Sequence, residues 1–241
     1  MAHIEQREFI EVIKSNFPRY FKKARVLEIG SLNINGSVRS QFSDCDYVGV
    51  DVAPGAGVDV VQMGQLVDFP SESFDCVISC ECMEHNPFWV ETMSNMFRLV
   101  RPSGLVIMTC ASPGREEHGT ARSVPKSSPL TVDLGWDYYS NVSEKDLRSR
   151  FNLDWWFSDY VLSTHYRMCD TYFVALKKPR EAPVKFKKLK KEVKELCNPF
   201  NSSISAMIYL SFKLGGKYLL SIFRWGATFF GRNRQFQVLP K

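Results

Sequence analysis

Two short strings carry the most reactive side chains of the chain. Glu81-Cys82-Met83-Glu84-His85 sets two carboxyls and an imidazole within five residues, and Arg115-Glu116-Glu117-His118 sets a cation, two acids and a second imidazole within four. An imidazole titrates near neutrality, so it can take a proton from a hydroxyl as that oxygen becomes a nucleophile. His118 is expected to be that base, with His85 second. Carboxylates beside histidine also suit a divalent cation, but no metal ligand is assigned from the sequence. Cys76, Cys80, Cys82 and His85 lack the turn-spanning pairs of a zinc site and read as core thiols plus one imidazole. Arg115 and Glu116 are expected to meet substrate, because their polar string directly follows an apolar run. Trp136-Asp137-Tyr138-Tyr139 adds aromatic faces and an acid, which suit stacking on a sugar or a lid over a ligand. Tyr139 is placed with the substrate residues.

Two further strings could hold a ligand. Val26-Leu27-Glu28-Ile29-Gly30 is an apolar run ending in an acid and a glycine, and Tyr47-Val48-Gly49-Val50-Asp51 is a second run ending in an acid. Runs of this kind read as buried parallel strands. Gly30 lets the backbone turn tightly beside a ligand. The Asp51 carboxylate can accept from both hydroxyls of a ribose. Asp51 lies 21 residues after Gly30, a spacing that also suits a dinucleotide cofactor. The discriminator is phosphate. A pyrophosphate wants several glycines and free N–H groups at a helix start. Ser31-Leu32-Asn33-Ile34-Asn35 is poor in glycine and suits a nucleoside without phosphate.

The elements that must position these residues alternate. A helix over about 4–15 precedes strands over about 25–30, 47–51, 58–61, 74–80 and 105–110. Helices are expected over 33–42 and from Pro87 to Val100, where Arg101-Pro102-Ser103-Gly104 stops the second. Residues 112–142 form a long loop, and a loop of that length in a compact domain is functional or mobile. Ser143 and Asp146 read as a helix start. Phe151–Leu162 and Tyr172–Leu176 read as an antiparallel pair of strands. The expected fold class is α/β, a doubly wound, mostly parallel seven-stranded sheet over residues 1–178, followed by a basic helical extension over 179–241.

Charge divides the same way. Residues 1–176 hold 16 basic and 23 acidic side chains, and residues 177–241 hold 15 and 3. An acidic body is not the footprint of a nucleic-acid binder, so nucleic acid is not expected as a partner. Pro179 and Pro183 bracket a linker, and a lysine-rich helix is expected over Phe186–Leu196. Beyond it, Lys213, Lys217, Arg224, Arg232 and Arg234 punctuate apolar and aromatic residues with no acid, as in a helix lying on an anionic bilayer. The alternative is a helical appendage packed on the body or on a second copy of the chain. The seven scattered cysteines and the charged start suggest a cytoplasmic protein, peripheral on the inner face of a membrane.

In order along the chain, these strings resemble the class I S-adenosylmethionine-dependent methyltransferases over roughly residues 20–178. The resemblance is carried by Val26–Gly30, Gly49-Val50-Asp51, Ser73-Phe74-Asp75-Cys76-Val77-Ile78, Glu81–His85 and Met96-Phe97-Arg98-Leu99-Val100-Arg101-Pro102-Ser103-Gly104-Leu105. It implies S-adenosyl-L-methionine as cofactor. Its contacts would come from Glu28, Gly30, Ser31 and Gly36, then Asp51 and Val52, then Met63 and Gly64, then Cys80 and Glu81. The family's glycine loop lacks its middle glycine here, and the acid often found after the third strand is Met63. In the resembling phosphoethanolamine methyltransferases, a histidine at the offset of His85, with an acid four residues earlier, lies at the reacting centre. The expected reaction is methyl transfer to a hydroxyl of a small molecule or a glycan, lipid-linked glycans included. N-methylation of a small amine or phosphobase, NAD-dependent oxidoreduction and a catalytically silent binding module are the alternatives.

Overall fold

The computed structural model describes residues 4–178, 186–198, 200, 206, 209 and 210. Seven strands form one sheet: β1 (Arg25–Ile29), β2 (Asp46–Asp51), β3 (Val60–Val61), β4 (Phe74–Cys80), β5 (Val100–Ala111), β6 (Phe157–His165) and β7 (Asp170–Lys177). Their order is β3-β2-β1-β4-β5-β7-β6. The first five pair in parallel, and β7 runs antiparallel to both β5 and β6. The expected doubly wound, mostly parallel seven-stranded sheet is therefore present.

Side chains alternate across each strand, so every buried strand feeds two cores. Leu27 and Ile29 face one core, with Met93, Met96 and Phe97 of α2 (Trp89–Leu99), Leu147 of α4 (Glu144–Arg150) and Leu153 of α5 (Leu153–Trp156). Val26, Cys76 and Ile78 face the other, under α1 (Ile4–Asn16) and α6 (Lys187–Leu196). Helix α1 buries Gln6, Phe9, Ile10 and Ile13, the stripe of a 3.6-residue period. Helix α6 docks beside it through Leu189 and Val193, with the Phe186 ring 4.9 Å from Phe17.

Three expected elements differ. Residues 33–42 form no full helix, only a 3-10 turn over Val38–Gln41. The Asn33 side chain accepts from the Gly36 N–H, and such local bonds compete with helix. Phe151–Leu162 begins with the single turn of α5, because the Asn152 carboxamide caps the Trp155 N–H. Strand β6 starts only at Phe157. Arg101–Gly104 does not separate helix from strand: β5 begins at Val100 and runs through it, with Ser103 at φ +58°. The long loop holds one short helix, α3 (Pro129–Asp133). The Ser143–Asp146 capping box is formed.

Pro179, Pro183 and residues 211–241, including Lys213, Lys217, Arg224, Arg232 and Arg234, lie outside the described residues. Among the described residues, no helix is long and apolar enough to cross a membrane.

Candidate active site

The strand order reverses between β1 and β4, and parallel sheets bind ligands at the carboxyl ends of strands beside such a point. A cleft opens there, with Gly30, Asp51, Val52, Gly64, Cys80 and Glu81 in its wall. These are six of the ten residues expected to touch the cofactor. Gly30 has φ +79°, and a Cβ on it would sit 2.6 Å from the Cβ of Cys82. The crossing of the two strand-end loops thus requires glycine.

Asp51 ends β2 with both carboxylate oxygens anchored. Oδ2 accepts from the Leu32 N–H at 2.9 Å and Oδ1 from the Val52 N–H at 2.8 Å. Each oxygen keeps a further lone pair. Burial pushes its pKa above the usual carboxylate value, against the pull of those two N–H groups.

The other four expected contacts are placed elsewhere. Glu28 is buried on the α1 side of the sheet, where its carboxylate accepts from the Tyr47 hydroxyl at 2.8 Å. Burial raises its pKa to about 7. Ser31 is buried beneath the loop, and Gly36 is exposed with its N–H on Asn33. Neither lines the cleft. Met63 begins the turn after β3 with its sulfur toward Gln65, and its neighbour Gln62 takes the cleft position.

The loop after β1 also answers the phosphate question. The N–H groups of Gly30 and Ser31 donate to the Val50 carbonyl, Leu32 to Asp51, Asn33 to the Ala56 carbonyl, and Gly36 to Asn33. No α-helix follows the loop directly. These N–H groups are committed within the protein, so the loop is not built to cradle a pyrophosphate.

Glu81 takes a left-handed turn, φ +51°, directly after β4. Its Oε1 accepts from the Thr109 hydroxyl at 2.9 Å, and that hydroxyl oxygen accepts from the Gln6 amide at 2.6 Å. Its Oε2 is buried with no hydrogen-bond partner among the described residues, with the Arg115 guanidinium 3.8 Å away. Glu81 and His85 also wall a second, more open pocket with Arg115, Glu116, His118 and Val124.

His85 closes a 3-10 turn over Met83–His85 and packs edge-on to His118 and tilted to Tyr139, at 5.0 and 5.5 Å between centroids. Burial, then the neighbouring His118, lowers its pKa to about 3. The ring is neutral at physiological pH and too weak a base to serve as proton acceptor there. His118 is also lowered by burial, less deeply placed. Its Nδ1 sits 2.9 Å from the Glu116 carbonyl. That contact places the proton on Nδ1 and leaves the Nε2 lone pair free. Of the two imidazoles, His118 is the less buried.

The substrate residues separate. Arg115 turns inward, donating to the Met168 carbonyl at 2.8 Å and to Asp170 at 3.2 Å. Glu116 is exposed and serves His118 through its carbonyl. Tyr139 packs on both histidines. Of its neighbours, Trp136 lines the cleft against Phe88, whereas Asp137 ties the two limbs of the loop through Arg122 and the Ala121 N–H. Gln62, Asn86 and Thr131 line the cleft without any sequence signal.

A protein-family model described as a methyltransferase domain matches residues 1–165. No curated protein matches the chain. Among solved structures, it is similar to the CurJ carbon methyltransferase, at 16% identity and TM-score 0.47, over 73% of this chain and 56% of that one. It is similar to phosphoethanolamine N-methyltransferase 2 of Haemonchus contortus, at 17% identity and TM-score 0.49, over 93% of this chain and 49% of that one. A methyltransferase from Archaeoglobus fulgidus is similar at 16% identity and TM-score 0.47, over 71% and 94%. The chain thus spans about half the length of the first two.

Proposed function

Because the chain belongs to the family of methyltransferase domains, as a class I S-adenosylmethionine-dependent enzyme, we propose that it methylates a hydroxyl of a small molecule or glycan. The cofactor supplies an electrophilic methyl on a sulfonium. The acceptor oxygen forms one O–C bond as one C–S bond breaks, and one proton is released. Orientation is the large term in such a displacement.

The residues present suit the cofactor. Asp51 would hold the ribose with its spare lone pairs. Gln62 and Gly64 would meet the base. Glu81 Oε2, buried without a hydrogen bond and paired only at 3.8 Å with Arg115, would accept from the amino group of the methionine part. A committed N–H loop with no phosphate cradle agrees with a ligand that carries no phosphate, against a dinucleotide.

The observation that carries the hydroxyl reading is the shared wall. Glu81 and His85 border both the cleft and the open pocket, and His118 stands on the pocket side with Nε2 free. An acceptor in the open pocket therefore lies against a group able to withdraw a hydroxyl proton. A second reading, N-methylation of a small amine, draws on the mutually packed rings of His85, His118 and Tyr139 and on Glu81 in the same pocket wall as the histidines, a setting that suits a cation.

Product analysis with a ¹³C-methyl cofactor over hydroxylated and amine acceptors tests this directly. The expected product carries the label on oxygen. His118→Ala is expected to lower turnover by about 10²–10⁴-fold, the range for a removed proton-handling group. Label found only on nitrogen would overturn the hydroxyl reading.

A further inference from the structure

The mechanism above leaves one buried acid without a task. Glu84 is 0% exposed, and both its carboxylate oxygens lack a hydrogen-bond partner among the described residues. A carboxyl sealed from water without partners costs free energy unless a proton or a cation satisfies it. His85, the next residue, is 4% exposed, and its Nδ1 is also buried without a partner.

One ligand atom from each of Glu84, His85 and His118 falls within 4.8 Å of the others. We propose that Glu84, His85 and His118 form a site for one first-row divalent cation of the zinc type, built into the wall that the cofactor cleft shares with the open pocket.

Two imidazoles and one carboxylate are the donor set of open, three-ligand zinc sites, in which a fourth position is left for water or substrate. Softer thiolates are absent from the cluster, and an all-oxygen set for magnesium or calcium is absent too. His118 shows the support expected of a ligating histidine. Its Nδ1 is tied to the Glu116 carbonyl at 2.9 Å, which aims Nε2 and fixes the tautomer. Gly119 packs on the Cε1–Nδ1 edge of His85, where a Cβ would lie 2.6 Å from Cε1 and 3.0 Å from Nδ1, so only glycine leaves that edge room. Ligands about 2.1 Å from a tetrahedral ion lie about 3.4 Å apart, so separations of up to 4.8 Å must tighten by up to about 1.4 Å. His118 can supply that movement, since it sits half-buried on the loop after β5.

The inference deepens the hydroxyl reading and rests on it. The open coordination position would take the acceptor oxygen and lower its pKa, and the proton would pass to solvent in the open pocket because both imidazoles are then committed to the ion. His118 would then act through the ion rather than directly.

The test uses tag-free, full-length protein stripped with a chelator and titrated with Zn²⁺ and with Co²⁺. Bound metal is measured after gel filtration, and Co²⁺ is followed by its visible absorption. One ion per chain with a low-symmetry, four- or five-coordinate Co²⁺ spectrum is expected. His118→Asn and the near-isosteric Glu84→Gln should each weaken binding by at least about 10²-fold, while S-adenosylhomocysteine still binds and reports an intact fold. Sub-stoichiometric metal on the wild-type protein overturns the site, as does a Co²⁺ spectrum unchanged by both substitutions. Full-rate O-methylation by metal-free protein removes the ion and leaves the hydroxyl reading standing. A stoichiometric ion with methyl transfer only to nitrogen removes the hydroxyl reading and leaves the ion.

Discussion

At the scale of single residues, the two acids of the opening strands turn out to have different work. Asp51 faces the cleft and Glu28 faces Tyr47. Asp51→Ala is expected to weaken S-adenosylhomocysteine binding by about 1–3 kcal/mol, because the Leu32 and Val52 N–H groups lose their acceptor along with the ligand; calorimetric titration checks it, and unchanged affinity would reject the ribose contact. Glu28 bears on stability instead. Its folded-state pKa of about 7 lies above the ordinary 4.5. A raised pKa favours the folded state most when the group is protonated in both states, below about pH 4.5, and that contribution is lost as pH rises through 7. The full loss is about 3 kcal/mol. Glu28→Gln keeps an acceptor for Tyr47 without the charge. It should match the wild type in urea unfolding at pH 4 and exceed it by up to about 3 kcal/mol at pH 8. Equal stabilities at pH 8 would mean that the buried carboxylate ionises without penalty. The residue types of both acids were legible in the sequence, and their faces were not. In a strand buried on both sides, apolar residues fill every position, so no alternation says which side meets the ligand. The same one-residue ambiguity separates the expected Met63 from the observed Gln62.

At the scale of elements, what the sequence marks well is whatever local chemistry decides. Helix α1, strand β4 and the Ser143 cap are set by periodicity or by a capping side chain, and they stand where expected. The 33–42 segment and the start of β6 are decided by side-chain bonds of Asn33 and Asn152, which no periodicity reveals. The link between α1 and the site is wholly tertiary. Gln6 reaches across 103 positions to Thr109, which holds Glu81. Nothing in the residues near either end announces it. This tie makes α1 part of the active-site support rather than a cover for the sheet. Thr109→Val removes the hydroxyl at nearly constant volume, and with it the hydrogen bonds that it makes to the Gln6 amide and the Glu81 carboxylate. We expect a loss of about 1–3 kcal/mol in unfolding free energy. We also expect a weaker cofactor affinity that Ser at the same position restores. A stability loss with affinity untouched would confine the tie to scaffolding.

At the scale of the whole molecule, charge and structure part company near residue 177. The body that builds both pockets is acidic, whereas the remainder carries 15 basic and 3 acidic residues. The described portion of that remainder, α6, buries Leu189 and Val193 and turns Lys187, Lys188, Lys191 and Lys194 outward. Its i,i+4 pairs, Lys188–Glu192 and Lys191–Glu195, are surface pairs of small value, so the face is left strongly basic. We propose that this face and the acid-free segment after it bring the enzyme to an anionic bilayer, where each basic residue near the surface contributes about 1 kcal/mol. Cys197 is buried against the core, so the cut falls after it, and removing residues 199–241 costs the ring contact of Tyr209 with Tyr166. The full chain should pellet with phosphatidylserine vesicles, release as salt shortens the Debye length, and ignore zwitterionic vesicles. The truncated chain should stay in the supernatant while binding S-adenosylhomocysteine as before, because no described residue of either pocket lies beyond Trp136. A full chain that never pellets, but sediments at twice its mass, would hand the segment to a second copy of the protein instead.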